Sequence, residues 1–275
     1  MRSIAVINQK GGVGKTTTSV NLSAALAAQG KRVALLDLDP QSHASLHLGA
    51  GQDPERPSVY DVLTSGTPLG EVWQIVEPNL RVAPSDIDLA AAEVELAGVV
   101  GRELILRDAL ATEAAGIDYA IIDCPPSLGI LTINALCAVS DVFLPLQPHF
   151  LALHGLSKLL ETIDLVRRRL NDRLRLAGVV MCLYESGTRL AAEVTEDVAR
   201  FFDEVGAQTP LAQDARLFET RIRRNIRLAE APSFSQSIFQ YAPHSHGADD
   251  YQRLSEEVLA LYEAVQPDVA HERAA

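Results

Sequence analysis

The segment Lys10-Gly-Gly-Val-Gly-Lys-Thr-Thr17 directly follows the apolar run Ser3-Ile-Ala-Val-Ile7 and opens a helical pattern over residues 15–29. Residues 3–7 read as a parallel strand buried on both faces, because the apolar run is short and unbroken. The helix that follows sets Val20, Leu22, Ala25 and Leu26 on its apolar side. Between them, Gly11, Gly12 and Gly14 allow a tight turn that points successive backbone N–H groups at an anion at the helix N-terminus. Strand, glycines, Lys-Thr and helix together predict a phosphate cradle made of Lys10, Gly11, Gly12, Val13, Gly14, Lys15, Thr16 and Thr17. Lys15 is placed to reach the β- and γ-phosphates of a nucleotide, and the Thr16 hydroxyl to take one Mg2+ position. Position 9 is Gln where the ordinary loop has glycine, so the loop is a variant.

Lys10 needs a separate account, since it cannot easily curl back onto phosphates that Lys15 already holds. Facing a second subunit, it would neutralise phosphate charge in trans as the transition state develops. A solvated lysine on the loop rim is the alternative. Two further carboxylate segments follow. Val33–Leu36 reads as a strand emptying into Asp37-Leu-Asp39-Pro-Gln41, and Pro40 stops that strand so that both carboxylates lie near its carboxyl end. Tyr119-Ala-Ile-Ile-Asp123-Cys-Pro-Pro-Ser127 is an apolar strand ending in a carboxylate, with Asp123 set to hold Mg2+ through a water and two prolines stiffening the loop.

KGGVGKTTT, LLDLDPQ at 35–41, IIDCPPS at 121–127 and RRNIRLAEAPSFSQSI at 223–238 together resemble the ParA/Soj group of the ParA/MinD family of deviant Walker-type ATPases. The resemblance runs over roughly residues 1–265, leaving 266–275 as a frayed tail. It implies an α/β P-loop fold: a doubly wound, mostly parallel sheet with helices on both faces. It implies Mg2+-dependent ATP hydrolysis, ADP as product, and an ATP-sandwich homodimer in which Lys10 reaches nucleotide across the interface. Lys10, Lys15 and Asp39 would then be catalytic, with Asp39 positioning or activating the attacking water. Thr16, Asp39 and Asp123 would form the metal shell, with Asp37 supporting that shell or the loop, or serving only as a turn residue. Asn225 resembles the residue that lines the adenine site, where its amide would read the base edge; a capping or turn role is the alternative.

Partner choice rests on local charge, because the net charge of -12 speaks against a uniformly basic nucleic-acid binder. Five arginines fall between Gln213 and Arg227 and five more between Arg167 and Arg175. Such patches would meet DNA phosphates without reading bases, provided that dimerisation gathers them on one face. The resemblance points to Arg189 and Arg224 as DNA contacts, then Arg221 and Arg223; a solvated face or local salt bridges is the alternative. Arg223 stands where the family commonly has proline. The resemblance also implies nonspecific double-stranded DNA as a ligand and a ParB-like centromere-binding protein as a partner. Chromosome or plasmid segregation is the first reading, positioning of a protein cargo the second, and a nucleotide-switched regulator without DNA binding the third.

Other features exclude classes. The three cysteines form no Cys-x-x-Cys pair and sit in apolar surroundings, which argues against iron–sulfur carriers. No leader, spanning segment or helix-turn-helix is expected, so the protein reads as cytoplasmic and nucleoid-associated. The tail from Asp249 holds seven Asp/Glu against two Arg, which speaks against membrane binding. His149 and His154 stand where the family loop commonly has acidic residues and read as structural or interface groups. Strands are predicted at 80–83, 119–122, 139–146, 175–181 and 208–211, and helices at 87–97, 101–115, 153–170 and 189–205. Residues 50–79 read as a loop-rich insertion with a short helix near 58–64.

Overall fold

The computed structural model describes residues 1–51, 53, 55–149, 153 and 155–263. In chain order the elements are β1 (Arg2–Val6), α1 (Lys15–Ala28), β2 (Val33–Asp37), α2 (His43–His47), α3 (Val59–Thr64), α4 (Leu69–Val72), β3 (Gln74–Glu77), β4 (Leu80–Ala83), α5 (Leu89–Glu95) and α6 (Ile105–Thr112). They continue as β5 (Tyr119–Asp123), α7 (Ile130–Ala138), β6 (Asp141–Leu146), α8 (Leu156–Arg169), β7 (Arg175–Tyr184), α9 (Arg189–Gln208), β8 (Arg216–Arg223), α10 (Ile226–Glu230), α11 (Ile238–Tyr241) and α12 (His246–Glu263). The strands form a single sheet ordered β3-β4-β2-β5-β1-β6-β7-β8, parallel except for β3 against β4.

Strand periodicity divides the core into two layers. Ile4 and Val6 of β1 face α1, α2, α11 and α12, whereas Ala5 and the following Ile7 face the layer that includes α3 to α9. Both faces are covered, which is why the central strands carry apolar residues without alternation. The doubly wound sheet expected from the alternating pattern is therefore present. Every parallel strand ends at the same edge, and β1 lies between β5 and β6, where the connections part in opposite directions. That is the crevice in which open α/β sheets hold ligands.

Several expectations need correction. No strand forms over 208–211: α9 runs through Gln208, and Pro210 has no N–H with which to extend a ladder. The strand here is β8, the arginine-rich stretch 216–223, which looked polar because an edge strand exposes alternate residues. Within 50–79 the helix near 58–64 is present, but α4 and the short antiparallel strand β3 accompany it. α7 had no amphipathic signature, since its run ILTINALCA is buried on most sides. The acidic tail contains the amphipathic helix α12, whose apolar residues Tyr251, Leu254 and Val258 pack into the protein core. The expected frayed tail and His154 lie outside the described residues.

α2 buries His47 against the turn near Gln236, and burial lowers its imidazole from 6.5 to about 4. Among the described residues its Nε2 has no hydrogen-bond partner. The folded protein thus resists a proton that the unfolded chain accepts, so the His47 contribution to stability is complete above pH 6.5 and falls as the pH drops toward 4. The difference in unfolding free energy between wild type and His47→Leu, read from denaturant melts, should shift by about 2 kcal/mol against wild type between pH 7 and pH 5, while the buried carboxylates titrate alike in both.

Candidate nucleotide site

Residues 7–14 form the predicted loop between β1 and α1. Gly12 and Gly14 have φ of 73° and 95°, left-handed values that a side chain would strain. Gly14 also has little room, because a Cβ there would lie 3.3 Å from the Cys182 Cβ. Asn8 fixes the start of the loop: its Nδ2 donates to the Pro145 carbonyl at 2.8 Å, and its Oδ1 accepts the Lys10 N–H at 2.9 Å. Lys15 is only 7 % exposed and donates from Nζ to the Lys10 carbonyl at 3.2 Å. Burial lowers its pKa, and the charges of Asp123 and Asp39 oppose that effect. Lys10 is exposed, and its ammonium forms no ion pair among the described residues.

The carboxylates divide their work. Register pairs Asp37 of β2 with Asp123 of β5, and Asp123 with Val6 of β1, so three strand ends meet under the loop. Asp123 accepts Thr16 Oγ1 at 2.8 Å and Ser19 Oγ at 2.8 Å. Asp37 is fully buried and accepts the Asp39 N–H at 3.1 Å, the Ser45 N–H at 2.8 Å and Ser45 Oγ at 2.7 Å. It anchors the loop after β2 to α2 through Ser45. Asp39 lies at the crevice, with one side-chain bond, from the Gln41 N–H at 3.0 Å, and Ser85 Oγ holds its carbonyl at 2.8 Å. Burial raises the pKa of Asp37, and burial together with the Asp37 charge raises that of Asp123.

Two buried carboxylates stand against one nearby lysine, and a threonine hydroxyl lies against one of them, so their ionised forms call for a further positive charge. A divalent cation fits that donor set: Mg2+ takes few protein ligands and completes its shell with phosphates and waters. Among the described residues no group of three or more His, Cys, Asp or Glu forms a dedicated metal cage.

The residues expected at the partner surfaces lie at the end of β8, in the turn before α10 and at the start of α9. Asn225 caps α10, its Oδ1 accepting the Arg227 N–H at 2.8 Å. Arg189 opens α9 with its side chain 91 % exposed and pairs with Glu193 on the same helix. Arg224 pairs with Glu185, both largely exposed. Arg221 lies over the Tyr184 ring, 4.9 Å from its centroid. Arg223 differs: its N–H and guanidinium bind Asp250, whose side chain is 5 % exposed, so its charge is tied to α12. The run 167–175 falls at the end of α8 and the start of β7, the sheet edge opposite the phosphate loop. Arg216, at the start of the parallel neighbour β8, shares that edge, whereas Arg221, Arg223, Arg224 and Arg227 lie at or beyond the other end of β8. His149 is exposed on the loop after β6.

Several residues of the site had not been singled out from the sequence. Ser19 was detectable, since it lies three residues after Thr16 on the same helical face. Asn8, Ser45 and Ser85 gave no signal, because their partners are 137, 8 and 46 residues away.

A glycine loop between a central strand and a buried helix, with aspartates ending two adjacent strands, defines a P-loop nucleoside triphosphatase. The family model described as an AAA domain matches residues 1–176. The chain is 45% identical over 258 residues to the sporulation initiation inhibitor protein Soj of Bacillus subtilis, covering 94% of this chain and 98% of that protein. It is 46% identical over 260 residues to the chromosome-partitioning ATPase Soj of Thermus thermophilus, covering 94% and 96%. A crystal structure of cobyrinic acid a,c-diamide synthase from Mycobacterium smegmatis, with bound ATP analog and magnesium, superposes with a TM-score of 0.81 at 36% identity over 97% of both chains. This chain belongs to the ParA/Soj family of partitioning ATPases.

Proposed function

We propose that the protein is a partition ATPase that dimerises around ATP and Mg2+, binds nonspecific DNA as that dimer, and releases both on hydrolysis. The observation that carries the reading is the contrast between the two loop lysines: Lys15 is turned inward and buried, while Lys10 stands exposed on the rim. Lys15 and the loop N–H groups hold the β- and γ-phosphates, and Lys10 presents its charge to a second subunit. Thr16, Asp39 and Asp123 would hold Mg2+, which would supply charge neutralisation at the phosphates. Asp39 orients the water, and Asn225 retains a free amide N–H2 to donate to a base edge while its Oδ1 caps α10.

Arg189, Arg221 and Arg224 form the proposed DNA face. The ion pairs of Arg189 and Arg224 are exposed and therefore weak, at about 0–1 kcal/mol, so phosphates can replace the carboxylates. Arg223 holds β8 in place beside them. A ParB-like partner and segregation of a chromosome or plasmid complete the reading, and nucleoid association follows from DNA binding. No described helix is long and apolar enough to cross a membrane. Amide synthesis, named in the Mycobacterium structure, has less support here. Burial raises the Cys137 thiol to about 11 and the Cys182 thiol to about 12 and lifts Cys124 as well, leaving no thiolate poised to draw ammonia from glutamine.

The test is binding to a nonspecific duplex with ATP, with ADP and without nucleotide, across a salt series, with mass in solution recorded. ATP-dependent, salt-sensitive binding by a dimer is expected. A nucleotide-dependent dimer that ignores DNA at every salt concentration would replace this reading with a protein-cargo or regulatory switch.

A further inference from the structure

The phosphate loop and the arginine-bearing end of β8 are joined by one short stretch, residues 182–185. Cys182 lies beneath the loop, against Gly14, and its Sγ is 3.6 Å from Thr18 Oγ1 in the first turn of α1. Leu183 is left-handed with φ 52°, an uncommon conformation for a bulky residue, and it sits where the β7–β8 register shifts. Tyr184 carries two arginines: its carbonyl accepts the Arg224 N–H at 3.1 Å, and its ring lies beneath Arg221. Glu185 then pairs with Arg224 at 2.8 Å.

A second strut runs through α12. Tyr251 is fully buried, and its hydroxyl lies 3.1 Å from Thr18 Oγ1. The adjacent Asp250 accepts the Arg223 N–H at 2.9 Å and one guanidinium N–H at 2.6 Å. The sheet does not need these details in order to form. A phenylalanine at 251 would fill the same volume, and β8 would pair with β7 without a left-handed leucine. Strained residues persist where surrounding contacts over-determine them, and they concentrate at switching segments.

We infer that residues 182–185, braced by Asp250 and Tyr251, are the positioning element that ties the state of the phosphate loop to the setting of Arg221 and Arg224. The inference rests on the loop binding nucleotide as proposed above. Filling the loop loads Gly14 and Thr18, which bear on Cys182 and Tyr251. The register shift at Leu183 takes up the displacement, and Tyr184 passes it to its two arginines while Asp250 holds Arg223.

The test reads amide hydrogen exchange, so it depends on neither DNA nor hydrolysis. Wild type, Leu183→Gly and Tyr251→Phe are compared with and without ATP and Mg2+, with mass in solution recorded for each. In wild type, nucleotide is expected to protect residues 10–18 and to change exchange over 219–225 by about fivefold or more. Leu183→Gly frees the backbone to adopt either conformation, and Tyr251→Phe removes the hydroxyl from Thr18. Both should keep the protection of 10–18 and the wild-type mass, yet lose most of the change at 219–225. A change at 219–225 that survives both substitutions, or its absence from wild type while 10–18 is protected, overturns the inference. Absence of protection at 10–18 in wild type overturns the nucleotide reading and the inference with it.

Discussion

Lys15→Ala is expected to weaken ATP binding by about a hundredfold or more and to reduce hydrolysis by about a thousandfold. The magnitude follows from where the ammonium sits. It is 7 % exposed, held by the Lys10 carbonyl, and close enough to Asp123 and Asp39 for their charges to favour its protonated form. A phosphate in the loop would exchange that single neutral acceptor for charged oxygens in a dry site, where charge-assisted bonds are strongest. Alanine supplies neither charge nor reach. The fold should survive, because Asp123, whose pKa burial already raises, takes up a proton more readily once the lysine is gone. Equilibrium binding of a fluorescent ATP analogue, with a melting curve as control, checks both parts. Near-normal affinity in the folded variant would remove Lys15 from the site.

Asp39→Ala should behave differently, leaving nucleotide affinity within a few-fold of wild type while slowing single-turnover hydrolysis by about 10²–10³. Asp39 is 8 % exposed at the crevice, and among the described residues its only side-chain bond is the local one from the Gln41 N–H. The loop after β2 is held instead by Asp37 through Ser45, and by Ser85 on the Asp39 carbonyl, which alanine retains. The substitution therefore removes a carboxylate from the reaction space and little else. Equal losses in binding and hydrolysis would mean that Asp39 serves the architecture instead of the chemistry.

The contrast between Asp37 and Asp39 shows what could be read from the chain alone. Two carboxylates, two residues apart at a strand end, have the same composition and nearly the same spacing from the loop. Only the placement of Ser45 and Ser85, brought in by α2 and by the turn after β4, makes one of them structural. The phosphate loop was legible because all its parts are consecutive: strand, glycines, lysine, threonine and helix. The arginines were not, because contiguity in sequence implies nothing about a shared face. One run of five lies at the end of α8 and the start of β7; in the other, β8 carries Arg216 at its start and Arg223 at its end.

The sequence by itself determined the strand–loop–helix unit, the two aspartate-ended strands, the doubly wound class and the family, since each depends on local conformation and on apolar periods of two and 3.6. The tertiary structure decided which polar groups are buried together. It put Asn8 on Pro145, Ser19 on Asp123, Arg223 on Asp250 and Tyr251 on Thr18, pairs separated by 137, 104, 27 and 233 residues. No sequence period reaches across such distances. A buried hydrogen-bonding group must nevertheless find a partner, so the packing of the two layers against one sheet selected those that fit.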